Sequence, residues 1–132
     1  MNPVAPLHAR AAMLAAASML VAILSGCAAL GGSAPAKVSR GALVDPKGMS
    51  LYTFTGDAGG KSACVAACAK RWPPLAATAS DRPAGSFTLI VRDDGSLQWA
   101  YKGQPLYTWI KDIRPGDRGG EGFNQAWNLA RP

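Results

Sequence analysis

Apolar and polar residues change rhythm several times along this chain, and each change marks a different kind of segment. Residues 11–24, AAMLAAASMLVAIL, form an apolar run that is shorter than the roughly 20 residues a membrane-spanning helix needs. Residues 28–40, AALGGSAPAKVSR, are small, aperiodic and rich in Gly, Ala and Pro, the composition of a flexible tether. From residue 41 onward, short stretches of period-two alternation between turn-forming residues predict β-strands. Gly41–Val44 and Ser50–Phe54 flank Asp45-Pro46-Lys47-Gly48, where proline presets the second turn position and glycine accepts a positive φ at the fourth. Phe87–Val91 and Leu97–Lys102 flank Asp93-Asp94-Gly95, and Gly103 turns the chain into a third strand over Leu106–Ile110, making a meander. Residues 63–71, ACVAACAKR, predict a short helix with Ser62 as its N-cap and Trp72-Pro73-Pro74 as its stop. The glycine-rich stretch 114–126 reads as loop, and Trp127–Ala130 as a closing strand. The predicted fold class is mainly β (small α+β), antiparallel hairpins and a meander with one short helix.

The pattern also repeats. Lys47-Gly48-Met49-Ser50-Leu51-Tyr52-Thr53-Phe54 aligns without gaps on Lys102-Gly103-Gln104-Pro105-Leu106-Tyr107-Thr108-Trp109. Asp57 falls on Asp112, and Trp72 on Trp127. Repetition at one offset identifies the structural unit, so 41–132 is expected to be a single domain of two repeats, about 41–75 and 87–132. Alternation places Tyr52 and Phe54 on one face, and Tyr107 and Trp109 on the equivalent face of the second copy. Some 92 residues support one small core and little surplus stability.

The N-terminus carries a different message. Arg10 precedes the apolar run, which closes on Leu24-Ser25-Gly26-Cys27, the layout of a secretory signal peptide over 1–26. Those last four residues resemble the bacterial lipobox. That resemblance implies cleavage before Cys27, a diacylglyceryl group on its thiol and an acylated new terminus, leaving 27–40 as a tether. Several acyl chains anchor stably where one is marginal. Ala28, a residue other than Asp, implies the outer membrane by the Gram-negative sorting pattern. Removal of 1–26 takes away His8, the only histidine, and Arg10; 14 basic and 8 acidic residues become 13 and 8, about +5. Histidine-dependent catalysis and imidazole ligands are thereby excluded. The charge is mixed along the chain without a basic run, which argues against a nucleic-acid partner and leaves the membrane, an envelope protein or a small ligand.

Taken together, Tyr52-x-Phe54-x-x-Asp57, Tyr107-x-Trp109-x-x-Asp112, Cys64-x-x-x-Cys68, Trp72-Pro73-Pro74-Leu75, Asp94-Gly95-Ser96, Tyr101-x-Gly103-x-Pro105-Leu106, Pro115-Gly116-Asp117 and Trp127 resemble the bacterial secreted lipoprotein repeat of unknown function, the lipoproteins with a Yx(F/W/Y)xxD motif. The resemblance covers essentially all of 41–132. Gln104 departs from it, standing where members often carry histidine. The family has no assigned biochemical activity, so the resemblance implies architecture and compartment more than chemistry.

Three constellations carry candidate chemistry. Cys64 and Cys68 are expected to pair in an oxidising periplasm, and a structural staple, a redox-active pair and a soft-metal site all stay open. Helical residues four apart lie about 6 Å from each other, near the upper end of disulfide Cα spacing, so a bridge is expected to distort the turn. Met49 is the one other soft ligand of the mature chain, and copper(I) is the ion such ligands suit. Asp57 and Asp112 read either as a carboxylate pair or as acceptors for the turns that end their strands. Tyr52, Tyr107, Trp72, Trp99, Trp109 and Trp127 read as an aromatic platform or as the core itself. No phosphate loop, nucleophile elbow or catalytic triad is present, so no catalytic residue, metal set or cofactor is nominated beyond the lipid on Cys27. The sequence points to a non-enzymatic envelope module, with redox or copper handling through Cys64 and Cys68 as the alternative.

Overall fold

Two left-handed residues in succession, Arg40 (φ 45°) and Gly41 (φ 76°), make the tight turn that two-residue hairpins require. They join β1 (Lys37–Ser39) to β2 (Ala42–Val44) in an antiparallel pair, with Val38 opposite Leu43. The computed structural model describes residues 33–132 together with Pro3 and Val4, and 33–132 pack as one unit. Apart from Pro3 and Val4, the segment expected as a signal peptide, 1–26, and Cys27 lie outside the described residues. Ordered structure therefore reaches into the stretch expected to be tether. Arg-Gly is a less familiar signal for this turn than Asn-Gly, and the Arg118 guanidinium pins it by donating to Ser39 O and Arg40 O, both at 3.0 Å. Ala36, just before β1, is already buried.

The first expected hairpin exists only at its base. Asp45–Gly48 does turn, with Gly48 N–H donating to Asp45 O at 2.9 Å, and Leu51 N–H reaches Leu43 O at 3.0 Å. Beyond that point β3 (Tyr52–Phe54) leaves β2 and pairs antiparallel with the final strand β8 (Trp127–Leu129), Tyr52 opposite Leu129 and Phe54 opposite Trp127. Packing of the tyrosine and tryptophan faces, described below, prevails over the local hairpin. The second hairpin is as predicted, β5 (Phe87–Val91) against β6 (Leu97–Tyr101), with β4 (Ala76–Ala77) on the other side of β6. The third strand of the meander differs. It is β7 (Gln104–Pro105), and 106–110 continue only as bridges from Tyr107 to Tyr52 and to Pro74. The architecture is mainly β, small antiparallel sheets with one short helix.

That helix is shorter than predicted. α1 spans Ala67–Arg71, preceded by Ala66 at φ 52°, and Ser62 does not cap it. Cys64 and Cys68 are bonded, Cα to Cα 5.1 Å. The bridge closes the loop 64–68, and Ala66 within it, at positive φ, stands just before the helix begins at Ala67. The segment expected as loop at 114–126 carries a 3-10 turn at Phe123–Gln125.

Two apolar clusters fill the interior. One holds Leu51 and Leu106, equivalent residues of the two repeats, with Leu43, Ala36 and Ala130. The other holds Tyr52, Tyr107, Trp72, Trp127 and Cys64.

Candidate functional site

The two repeats meet face to face. Tyr52 N–H donates to Tyr107 O at 2.8 Å and Tyr107 N–H to Tyr52 O at 3.0 Å. Such an exchange, in which residue i contacts j and j contacts i, is the signature of a two-fold relation. Backbone bonds on either side obey it. Ala130 N–H to Leu51 O and Leu75 N–H to Leu106 O are both 2.8 Å, and Asp57 N–H to Phe54 O matches Asp112 N–H to Trp109 O at 3.1 Å.

Aromatic rings are stacked along this interface. Trp72 and Trp127 lie 3.8 Å apart at 3°, Phe54 stacks on Trp127 at 4.5 Å, and Trp109 stacks on Trp72 at 5.1 Å. Tyr52 meets Trp72 edge-on at 5.4 Å and Tyr107 meets Trp127 edge-on at 5.1 Å. Pairs of this geometry contribute about 0.5–1.5 kcal/mol each beyond their buried area. At Gly120 there is no room for a Cβ, which would stand 2.8 Å from both Trp72 and Tyr52. Trp99 is buried too but sits apart on β6, against Phe87 at 6.4 Å.

The aspartates are joined crosswise. Tyr52 donates its hydroxyl to Asp112 Oδ2 at 2.5 Å, while Tyr107 donates to Asp57 Oδ2 at 2.8 Å. The remaining oxygen of each carboxylate accepts a backbone amide of its own repeat, Ala63 N–H on Asp57 at 2.7 Å and Gly119 N–H on Asp112 at 3.0 Å. Burial, reinforced by Asp112, raises the Tyr52 phenol above its ordinary range. Burial also pushes Tyr107 up to about 12, with Asp57 adding to the shift. Asp57 itself is raised by burial, against the opposing pull of the Ala63 amide, the Tyr107 hydroxyl and the Arg92 charge.

Sequence reasoning missed Arg92 and Gln98. Arg92 is buried, and its guanidinium donates to Ser62 Oγ (2.7 Å), Gln98 Oε1 (2.7 Å) and Cys64 O (2.8 Å). Ser62 in turn bonds the Tyr107 hydroxyl at 2.6 Å. A relay thus runs from Arg92 through Ser62 and Tyr107 to Asp57, a cation linked to an anion through two hydroxyls. The available signal was Gln98, which is fully buried and in strand register with the equally buried Ala100. A polar residue at such a position needs a partner. Among the described residues, no three His, Cys, Asp or Glu side chains gather as a metal site would require.

Two concavities lie outside this interior. A cleft of about 240 Å³ is lined by Phe54, Asp57, Gly59, Gly60, Lys102 and Gln104 among others. A hollow of about 290 Å³ lies between Val65, Ala66 and Ala69 on one side and Arg92, Asp93 and Asp94 on the other. No helix among the described residues is long and apolar enough to cross a membrane.

A family model described as a secreted repeat of unknown function matches twice, at residues 36–76 and 88–131, together more than half of the chain. No curated protein and no solved structure matches.

Proposed function

Because the chain belongs to this family of secreted repeats of unknown function, we propose its role from its own geometry: it is a lipid-anchored protein of the outer membrane that serves the envelope as a non-enzymatic interaction module. The observation that supports this most is the crosswise use of the ionisable groups. Asp57, Asp112, Tyr52, Tyr107 and Arg92 are each held by neighbours within the protein, and their bonds fasten one repeat to the other. Proton transfer to a substrate would break the contacts that hold the fold. What the protein offers to solvent is shape, in the form of clefts and turns. A lipid on Cys27 would fix that shape at a membrane surface, and a modest positive balance suits anionic headgroups.

Replacing Cys27 with serine is expected to move the protein from the membrane pellet to the soluble periplasmic fraction. Continued sedimentation with membranes would remove the anchor from this reading. The redox alternative turns on Cys64, which has no solvent exposure and whose carbonyl is held by Arg92. Protein purified without reductant is expected to show no free thiol at Cys64 or Cys68, and to keep the bridge in mild reductant. A bridge that opens readily, or copper bound to the purified chain, would favour redox or copper handling instead.

A further inference from the structure

The two repeats differ at one place where the two-fold would make them alike. In the second repeat, the loop after Asp112 folds over the turn at Lys47-Gly48. A Cβ on Gly48 would meet the Pro115 ring at 3.1 Å. Gly116 N–H donates to Gly48 O at 3.2 Å, and the Ser50 hydroxyl donates to Asp117 O at 2.5 Å. The loop is braced from within, because Ile113 and Arg114 both donate their N–H groups to Asp117 Oδ2 at 2.8 Å. These two bonds hold the Asp117 carboxyl below its usual range.

At the same offset the first repeat has Gly60 for Pro115, Lys61 for Gly116 and, on the facing turn, Gly103 for Gly48 and Pro105 for Ser50. Every closing contact is lost. Gly60 has no ring, Lys61 N–H turns back to Ala58 O at 3.1 Å, and Pro105 has no hydroxyl. A Cβ on Gly60 or on Gly103 would meet nothing within 4 Å. The space left over is the cleft of about 240 Å³ between Gly59-Gly60 and Lys102-Gly103. It falls below the roughly 300–1,000 Å³ of sites for larger small molecules, a size that suits one or two residues of a peptide.

We infer that this cleft is the docking site of a prolyl turn from a partner protein, which takes the place that Pro115-Gly116 takes in the other repeat. This rests on the interaction-module reading and names its partner class. The proline ring lies over Gly103, and the following residue donates its N–H to Gly103 O as Gly116 does to Gly48 O. Lys102, exposed at the rim, favours a partner that carries an acidic residue beside the proline. The first repeat thus presents a vacant copy of a contact that the second repeat makes with itself.

The test uses the chain's own loop as probe, the peptide Ile-Arg-Pro-Gly-Asp-Arg of residues 113–118, titrated into the full ¹⁵N-labelled chain in detergent micelles. Amide shifts are expected at Gly59, Gly60, Gly103 and Gln104, saturating in the millimolar range. Alanine in place of the peptide's proline should abolish them. Gln104→Trp, at an exposed position on the cleft wall, should weaken binding by roughly tenfold or more, equivalent to about 1.4 kcal/mol, while amides elsewhere keep their positions. Three results overturn the inference: no shifts up to the solubility limit of the peptide, shifts confined to Gly48 and Gly116, or the same shifts on raising protein concentration alone, which would make a second copy the occupant. Fractionation of Cys27→Ser does not depend on the cleft, so loss of the peptide site and loss of the anchor are read separately.

Discussion

Truncating Tyr52 or Tyr107 to alanine is expected to lower the stability of the fold by about 3–5 kcal/mol in each case, the range found for buried aromatic rings. Both side chains are fully buried. Each packs its ring edge-on against a tryptophan of its own repeat and sends its hydroxyl to the other repeat's aspartate. The alanine variants therefore combine a cavity with a part-buried carboxylate deprived of one donor. Tyr52→Phe and Tyr107→Phe keep the ring, and are expected to lose only about 1–3 kcal/mol for the unsatisfied acceptor. Denaturant unfolding of the four variants gives the comparison directly. Unchanged midpoints for both alanine variants would mean that these rings are not core, and would return them to a binding role.

Alkaline pH is expected to unfold the protein by the same route. Tyrosine in an unfolded chain ionises near pH 10, whereas Tyr107 in the fold is pushed up to about 12 by burial and Tyr52 is raised further. The unfolded state therefore gives up these protons first. The stabilisation by the two neutral phenols is complete below about pH 10 and is lost as pH climbs toward 12 and beyond. Near-ultraviolet circular dichroism should collapse over that window, together with the rise of tyrosinate absorbance. The Tyr52→Phe/Tyr107→Phe double variant should carry its alkaline transition to higher pH than its lower neutral stability alone would suggest. Gradual tyrosinate formation with the aromatic dichroism intact would show that neither phenol is held by the fold.

Much of this architecture was legible in the sequence because it was written twice. The shared offset of Tyr52/Tyr107, Asp57/Asp112 and Trp72/Trp127 exposed the unit, and the Asp93-Asp94-Gly95 turn placed β5 and β6 correctly. What could not be read was which strand pairs with which. Local turn chemistry at Asp45–Gly48 argues for a hairpin, yet β3 pairs with β8, some 75 residues away, in an arrangement where each tyrosine packs edge-on against a tryptophan. The helix failed for another reason. Alanine-rich composition favours it, but in the segment bridged by Cys64 and Cys68 the backbone leaves helical geometry at Ala66, φ 52°. Within the candidate site, alternation gave Tyr52 and Tyr107 as neighbours of the aromatic cluster but not the crossing of their hydroxyls. Repetition alone cannot say whether a tyrosine bonds the aspartate of its own copy or of the other. Arg92 escaped notice because a lone arginine before an Asp-Asp-Gly turn looks like any surface residue until its three buried acceptors are seen.

The pairing of β3 with β8 also governs when the fold can form. Trp127 is the partner of both Trp72 and Phe54 in the stack, and it follows them by 55 and 73 residues. A chain emerging N-terminus first therefore has no stacking partner for Phe54, and lacks the closest cover of Trp72, until Trp127 has been delivered. The first repeat waits, open, for the second. Such closure ties folding to contacts between the two repeats that are distant in sequence, which makes it correspondingly slow. For a chain of a secreted family, a fold that needs both repeats is expected to close only after both have crossed the membrane.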